Sequence, residues 1–410
     1  MTHFAAGKSP KISTQAILIA GCLIAILTFG PRSAIGQFQL PIITDRHWTT
    51  AEFSLAIAIQ NLLWGIGQPF SGAFADRFGS MRVLMVGGLF YALGLIGMAY
   101  STTPLLFGMN AGLLIGFGLS GCSFNLVLGA FGKLLPEEKR SMAYGFGTAA
   151  GSLGQFLFAP LSGGLVSQFG WEHATIFLGG LMLLVVPLSI FVASPAQVRQ
   201  VGGQVQQSVK QALVEAFGHR SYVLLVIGFF TCGFQLAFVT VHFQRYVIES
   251  GLDARVGYWA FGLVGIFNIM GSLSSGWLGT RMPRRWILSF IYLSRALVTV
   301  IFISLPVSNA SAYIFGALTG LLWLSTIPPT SGLIGLMFGT RYLAMLYGFA
   351  FFSHQVGGFL GVLLGGILRE QTGSYTIVWW LSIALGVASA LINMPIVEKP
   401  VQREPLGAAA

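Results

Sequence analysis

Two stretches of this chain, Val83 to Gly132 and Ala296 to Thr340, contain no Asp, Glu, Lys or Arg. Each is too long for a single helical crossing of a bilayer, which takes roughly 20 apolar residues, so each must turn back on itself. Ser101-Thr102-Thr103-Pro104 supplies the turn in the first and Pro306-Val307-Ser308-Asn309 in the second. Over the whole chain 8% of the 410 residues are charged and 55% are hydrophobic, against about 25% charged in a soluble domain. The sequence is that of an integral membrane protein.

Cutting the apolar runs at their Gly, Pro and polar punctuation predicts about twelve helical spans, near 16-44, 52-75, 83-101, 104-132, 140-168, 173-193, 221-247, 256-280, 286-305, 311-338, 343-368 and 374-396. With both termini on the cytoplasmic side, the outside keeps only Arg46, Arg245, Arg255 and Arg369 of the 22 Lys and Arg, and Arg32 and Arg295 fall within the membrane. That asymmetry sets the orientation by the positive-inside rule and predicts a multi-pass protein of the plasma or inner membrane. The polar N-terminus, Met1 to Gln15, runs into an apolar segment longer than a signal-peptide core, so it is expected to be retained. The net charge of +10 arises from short loops rather than from one basic face, which excludes nucleic acid as a partner.

The chain is doubled. Gly72-Ala73-Phe74-Ala75-Asp76-Arg77-Phe78-Gly79-Ser80-Met81-Arg82 recurs as Gly276-Trp277-Leu278-Gly279-Thr280-Arg281-Met282-Pro283-Arg284-Arg285, displaced by 204 residues, and Tyr144-Gly145-Phe146 recurs as Tyr347-Gly348-Phe349 at an offset of 203. An all-α membrane protein of two pseudo-symmetric six-helix bundles follows: an N-terminal bundle over 1-193, a cytoplasmic linker over 194-220, a C-terminal bundle over 221-396 and a tail over 397-410. Within the linker, Val209 to Phe217 reads as a short amphipathic helix.

The first repeat resembles the major facilitator superfamily, whose loop between spans two and three carries G-x-x-x-D-R-x-G followed by basic residues. Gly72, Asp76, Arg77, Gly79 and Arg82 match it, and with Arg281 of the second copy they are expected to form a conformational switch; the second copy has Thr280 where the acid should be. The resemblance implies two halves rocking about a midplane site, and a monomer. Further patterns resemble the monocarboxylate transporter and oxalate-formate antiporter group: Gly30-Pro31-Arg32-Ser33 with Gly36-Gln37-Phe38, Phe124-Asn125-Leu126 with Gly132-Lys133, and Phe238 with His242. One departure stands out. Where that group holds an acid and an Arg in span eight, this chain has Asn268 and Ser272.

Arg32 sits near the middle of the first apolar run, with no intramembrane acid to neutralise it. An unpaired guanidinium at that depth costs between roughly 2.5 and over 10 kcal/mol, so it belongs in a wet or bundle-facing position. Its planar fork suits a carboxylate. The expected substrate-binding set is Arg32, Asn125, Gln155, Gln235, Asn268, His354 and Gln355, with Gln60 and Asn61 as further polar candidates and Trp64 and Trp323 as walls. Proton coupling falls to His354 and His242, the titratable groups at hand when no membrane carboxylate exists. Arg295 reads as structural, capping carbonyls or snorkelling, and Pro328-Pro329 as a break in span ten.

No dinucleotide, phosphate-loop, nucleophile or metal-ligand pattern occurs, and Cys22, Cys122 and Cys232 are scattered through apolar runs, so neither an enzyme nor a cofactor is expected. The leading expectation is a secondary carrier of a small mono- or dicarboxylate anion, with proton symport or anion exchange. The alternatives are a drug or solute exporter, for which Pro160-Leu161-Ser162-Gly163-Gly164 fits part of a span-five element, and a transporter-like sensor without flux.

Overall fold

The computed structural model describes residues 13–194, 208–339 and 341–401, and nearly all of them are helical. Lipid offers backbone N–H and C=O groups no partners, so each crossing closes its own hydrogen bonds. Ten rods are long and apolar enough to cross a membrane. One of them, Glu137–Val192, is bent into two at Gly170, whose φ is 79°. Thr50–Phe78 is equally long but more polar, with Gln60, Asn61, Gln68, Asp76 and Arg77 along it. Among the described residues this gives twelve spans in chain order: Thr14–Arg46, Thr50–Phe78, Ser80–Ala99, Pro104–Leu134, the two parts of Glu137–Val192, Arg220–Glu249, Ala254–Leu278, Arg284–Ser304, Asn309–Phe338, Leu343–Thr372 and Thr376–Asn393.

The turns between spans obey local chemistry. Span two starts with a capping box, Thr49 with Glu52, and span four starts with Thr103 capping Leu106 N–H just ahead of Pro104. Ser308 caps span ten through Ser311 N–H. Between spans two and three there is Gly79 alone, at φ 87°, and a Cβ there would lie 2.7 Å from the Ser194 carbonyl oxygen. Only glycine fits that corner. Val209–Gly218 forms the short helix expected in the linker segment, with Ala212 and Ala216 buried; Lys8, Lys11, Arg199 and Arg403 lie outside the described residues.

Two hydrophobic cores form. The first gathers Ile24, Phe53, Tyr91, Phe107, Phe131 and Leu178 from spans one to six; the second gathers Tyr222, Phe229, Phe238, Phe315 and Trp379 from spans seven to twelve. The second holds an aromatic stack, with Phe302 and Phe315 centroids 4.2 Å apart and Trp379 edge-on to Phe315. Each half also breaks one span at a matched position. Span four is interrupted at Ser123, between Ile115–Cys122 and Phe124–Leu134, and span ten at Trp323 to Thr326, between Asn309–Leu322 and Ile327–Phe338. Ser123 and Thr326 are 203 residues apart, the same offset as Tyr144 and Tyr347.

The spans alternate between two faces: one carries the Gly79 turn and the linker helix, here termed the linker face, and the other the Arg46-to-Thr50 turn, termed the far face. The halves meet toward the far face. Thr50 N–H donates to Glu370 at 3.0 Å, Arg245 donates to the Thr50 hydroxyl at 2.5 Å, and Gln39 lies 3.2 Å from His242. Gly36 abuts the Thr240 carbonyl and Gly366 abuts Ser54, so spans one and seven, and two and eleven, touch backbone to backbone. Gly65 still meets Gln355, 2.7 Å from a notional Cβ, and Gly265 meets Phe156 N at 2.7 Å, whereas Gly72, Gly145 and Gly348 nearer the linker face have nothing within 4 Å. The hydrogen bonds that join the two halves at the far face close that end of the bundle interface.

A side chain at Gly366 must displace Ser54 and Thr50. Gly366→Leu is therefore expected to wedge the far face open, seen as a several-fold rise in labelling from that face of a cysteine placed at Thr240. Unchanged labelling would show that the spans absorb the side chain without opening.

Candidate functional site

Arg32 lies in the last turn of the first helical piece of span one, Thr14–Ser33, one residue after Pro31. Its Nη2 donates to Asn61 Oδ1 at 2.8 Å, and Asn61 Nδ2 donates to Ile57 O at 2.9 Å, which fixes the amide with its oxygen toward the guanidinium. The guanidinium carbon is 4.8 Å from the Trp64 ring centroid. Arg32 Nε is buried and has no partner. The ion pairs Asp45–Arg46–Glu172 and Arg245–Glu249–Arg369 sit at the far face and Asp76–Lys133 at the linker face. No carboxylate is at hand in the apolar run around Arg32.

Arg32 opens onto a central cavity of about 50 Å³ lined by both halves. Phe29, Trp64, Phe124 and Asn125 come from the first half; Leu236, Thr240, Trp323, Tyr347, Phe351 and His354 come from the second. Small-molecule sites enclose roughly 300–1,000 Å³, so a solute needs the walls to part. The broken spans matter here. Phe124 and Ile327, which begin the helices Phe124–Leu134 and Ile327–Phe338, both line the cavity, but Ile327 N–H is bonded to Leu324 O and Pro328 and Pro329 carry no N–H, so of these two helix starts only that of span four bears on an anion. Arg32 is the group that makes the cavity favourable to an anion.

Arg295 completes that arrangement from behind. It is 5% exposed, and its Nε donates to Leu322 O at 3.0 Å while Nη2 reaches the Leu322 and Trp323 carbonyls. These are the carbonyls freed by the break in span ten, so Arg295 neutralises the negative end of Asn309–Leu322. The capping role expected for it is the one observed.

His354 lines the cavity with its ring stacked on Phe351, 5.7 Å between centroids and 9° between planes. Its Nδ1 is 3.2 Å from Gln355 Oε1. Gln355 is fully buried behind it with Nε2 unpartnered, beside Gly65 of span two, and does not line the cavity. Gln355 Oε1 and Asn61 Cγ are each 3.6 Å from the same notional Cβ on Gly358, so the hydrogen-bonded pairs Arg32–Asn61 and His354–Gln355, one from each half, both approach Gly358.

Four other expected site residues lie off the cavity. Gln235 donates to Ser382 O at 3.0 Å and accepts from Arg295 at 3.4 Å, inside the second bundle. Asn268 donates to Ser152 Oγ at 2.8 Å and accepts from Leu324 N–H at 2.9 Å, bracing the broken span ten against span five. Gln155 is buried beside Gly265 with both amide atoms unpartnered. His242 donates from Nε2 to Val362 O at 3.0 Å, which leaves Nδ1 as acceptor for Gln39 or Tyr375, each 3.2 Å away. It belongs to the far-face closure. Gln60 is spent on Ala111 O at 2.7 Å.

In the loop repeat Asp76 pairs with Lys133 at 2.5 Å, within its own half, Arg77 lies over Phe78, and Arg281 stacks on Trp277 at 4.0 Å. Tyr347 and Thr240 line the site without having been singled out for it. Tyr347 served in the sequence as a symmetry mark; Asn61, Trp64 and Gln68 fall at helical spacing on one face of span two, but only the structure joins Asn61 to Arg32.

The model of the Major Facilitator Superfamily matches residues 21–362. The chain belongs to that superfamily. An uncharacterized transporter of the superfamily, YcxA of Bacillus subtilis (strain 168), is 26% identical over 385 residues, 91% of this chain and 93% of its own. Monocarboxylate transporter 13 of Rattus norvegicus is 25% identical over 389 residues, 92% of this chain and 88% of its own. Among solved structures, a D-xylose-proton symporter aligns with TM-score 0.76 at 15% identity over 93% of this chain and 98% of that one. A bacterial homolog of the lysosomal transporter Spinster, in an inward-facing and occupied conformation, aligns with TM-score 0.73 at 13% identity over 94% and 97%. This superfamily member is a multi-pass membrane transporter of a small solute and not an enzyme.

Arg295→Lys keeps the charge but loses the fork that holds two carbonyls. It is expected to destabilise the protein by about 1.5–3 kcal/mol, the scale of a lost charge-assisted bond, read as a fall in melting temperature in detergent. An unchanged melting temperature would mean the break in span ten holds without the fork.

Proposed function

We propose that this transporter carries a small organic monocarboxylate by alternating access, with the carboxylate on Arg32. The observation that carries the reading is an arginine with no acid partner among the described residues and an unpartnered Nε, lining an aromatic cavity that both halves share. One fixed cation and walls of Phe29, Trp64, Phe124, Trp323 and Phe351 favour a single carboxylate on a flat or branched apolar body over a dicarboxylate. The likeness to monocarboxylate transporter 13 supports the same class. Asn125 and Tyr347 are the remaining hydrogen-bonding groups for the substrate, and the bundles over 1-193 and 221-396 rock about it as the 72–82 and 276–285 loops re-pair.

Proton symport runs through His354 in this reading, since it is the histidine on the same cavity wall as Arg32. His242, enclosed in the far-face closure, acts as a gate rather than a carrier of the proton. By the distribution of basic residues the linker face is cytoplasmic, with both termini on that side.

In proteoliposomes, Arg32→Gln is expected to weaken uptake of a labelled aromatic or branched monocarboxylate about 10- to 150-fold, the factor equivalent to one charge-assisted bond of about 1.5–3 kcal/mol, with Arg32→Lys intermediate. Competition by cationic solutes but not by carboxylates would overturn the anion reading. His354→Ala is expected to flatten the pH dependence of uptake while keeping counterflow of the same acid; a full pH profile in that variant would move the proton elsewhere.

A further inference from the structure

A second hollow lies away from the cavity at Arg32. A groove of about 520 Å³ runs along the outside of the first half, walled by spans two and three and floored by span four. Its walls are Phe70, Phe74 and Phe78 on one side and Val83, Val86 and Phe90 on the other. Phe70, Phe74 and Val86 are 62%, 53% and 52% exposed, so the groove opens outward to the bilayer. Its floor makes no polar demand: Ser71 and Ser120 hydrogen-bond to each other at 3.2 Å. Gly87 presses against Gly121 and the Cys122 amide, which seats span three deep on span four while its outer side stands away from span two.

Two features select an occupant. From Ile66 to Phe78 the groove follows thirteen residues of helix, about 18 Å from first to last at 1.5 Å per step, close to one leaflet of a hydrocarbon core roughly 30 Å thick. At its linker-face end the charges are unbalanced. Arg82 lines the groove, exposed and with no ion-pair partner among the described residues, and Arg77 lies over Phe78, 5.2 Å from the ring centroid. The acid beside them, Asp76, is taken by Lys133 at 2.5 Å. An apolar slot one leaflet long, ending in two uncompensated guanidiniums, matches an acyl chain that ends in a phosphate.

We propose that this groove is a binding site for one anionic phospholipid, its acyl chain along Phe70, Phe74 and Phe90 and its phosphate on Arg82 and Arg77. A zwitterionic lipid would bring a second cation against the same guanidiniums and is disfavoured. Because Arg77 and Arg82 flank the Gly79 corner, the lipid ties the turn between spans two and three to the membrane surface in this arrangement of the halves.

The test is fluorescence quenching of Phe74→Trp, read as the difference from the parent, in phosphatidylcholine vesicles containing either brominated-acyl phosphatidylglycerol or brominated-acyl phosphatidylcholine. Half-quenching is expected at an about fivefold lower mole fraction of the phosphatidylglycerol, and the preference should vanish in Arg77→Gln/Arg82→Gln. In case that variant folds poorly, raising the salt should reduce the preference of Phe74→Trp alone. Equal quenching by the two lipids would leave only bulk solvation of the groove and overturn the site. No added quenching would overturn occupancy by an acyl chain, and displacement of the preference by millimolar inorganic phosphate would make it a site for free anions instead.

Discussion

A guanidinium at bilayer depth must be given polar company, and the way this protein does so twice organises both its stability and its site. Arg295 and Arg32 carry the same group with no carboxylate in reach. Arg295 is saturated: the Leu322 and Trp323 carbonyls and Gln235 take its donors, and in return it closes the broken end of span ten. Arg32 lines the cavity incomplete, with one bond to Asn61, a tryptophan face and a buried Nε without a partner among the described residues. Saturated, such a group holds a fold together; unsaturated, it asks for a ligand.

The break in span ten links the two. Opening the helix at Trp323 to Thr326 frees the carbonyls at the end of Asn309–Leu322 and the Leu324 N–H. Arg295 and Ser275 cover carbonyls, Asn268 accepts the Leu324 N–H, and Ile327, which restarts the span ahead of Pro328 and Pro329, lines the cavity. Span four is broken at the matching position, Ser123, and Phe124 restarts it on the opposite wall. The replacement of an acid and arginine by Asn268 and Ser272 in span eight then has a physical sense: Asn268 is a brace between spans five, eight and ten.

Glycine decides how the halves meet. Gly36, Gly265 and Gly366 bring backbone close to backbone across the interface and Gly65 admits the Gln355 side chain, while a Cβ on Gly72, Gly145 or Gly348 would meet nothing within 4 Å. The same residue type is thus a contact in one part of a span and slack in another. Sequence cannot separate these uses, because whether a glycine is crowded depends on which way the bundles are tilted.

From the chain alone one can read the membrane class, the twelve crossings, the doubling and the isolation of Arg32, because each follows from where charge is absent and where a pattern recurs. Asn125 and His354 were legible as well, as polar groups in otherwise apolar runs. What the sequence leaves undetermined is which intramembrane amides are spent. Gln235, Asn268 and Gln60 look equivalent to Asn125 in a run of letters, yet the first three are consumed by Ser382, Leu324 and Ala111. A buried amide is free for a solute only if no helix break or neighbouring carbonyl claims it, and those claimants come from other spans. Tertiary packing alone therefore decided that Asn61 orients Arg32, that His242 closes the far face and that the cavity keeps an unspent positive charge.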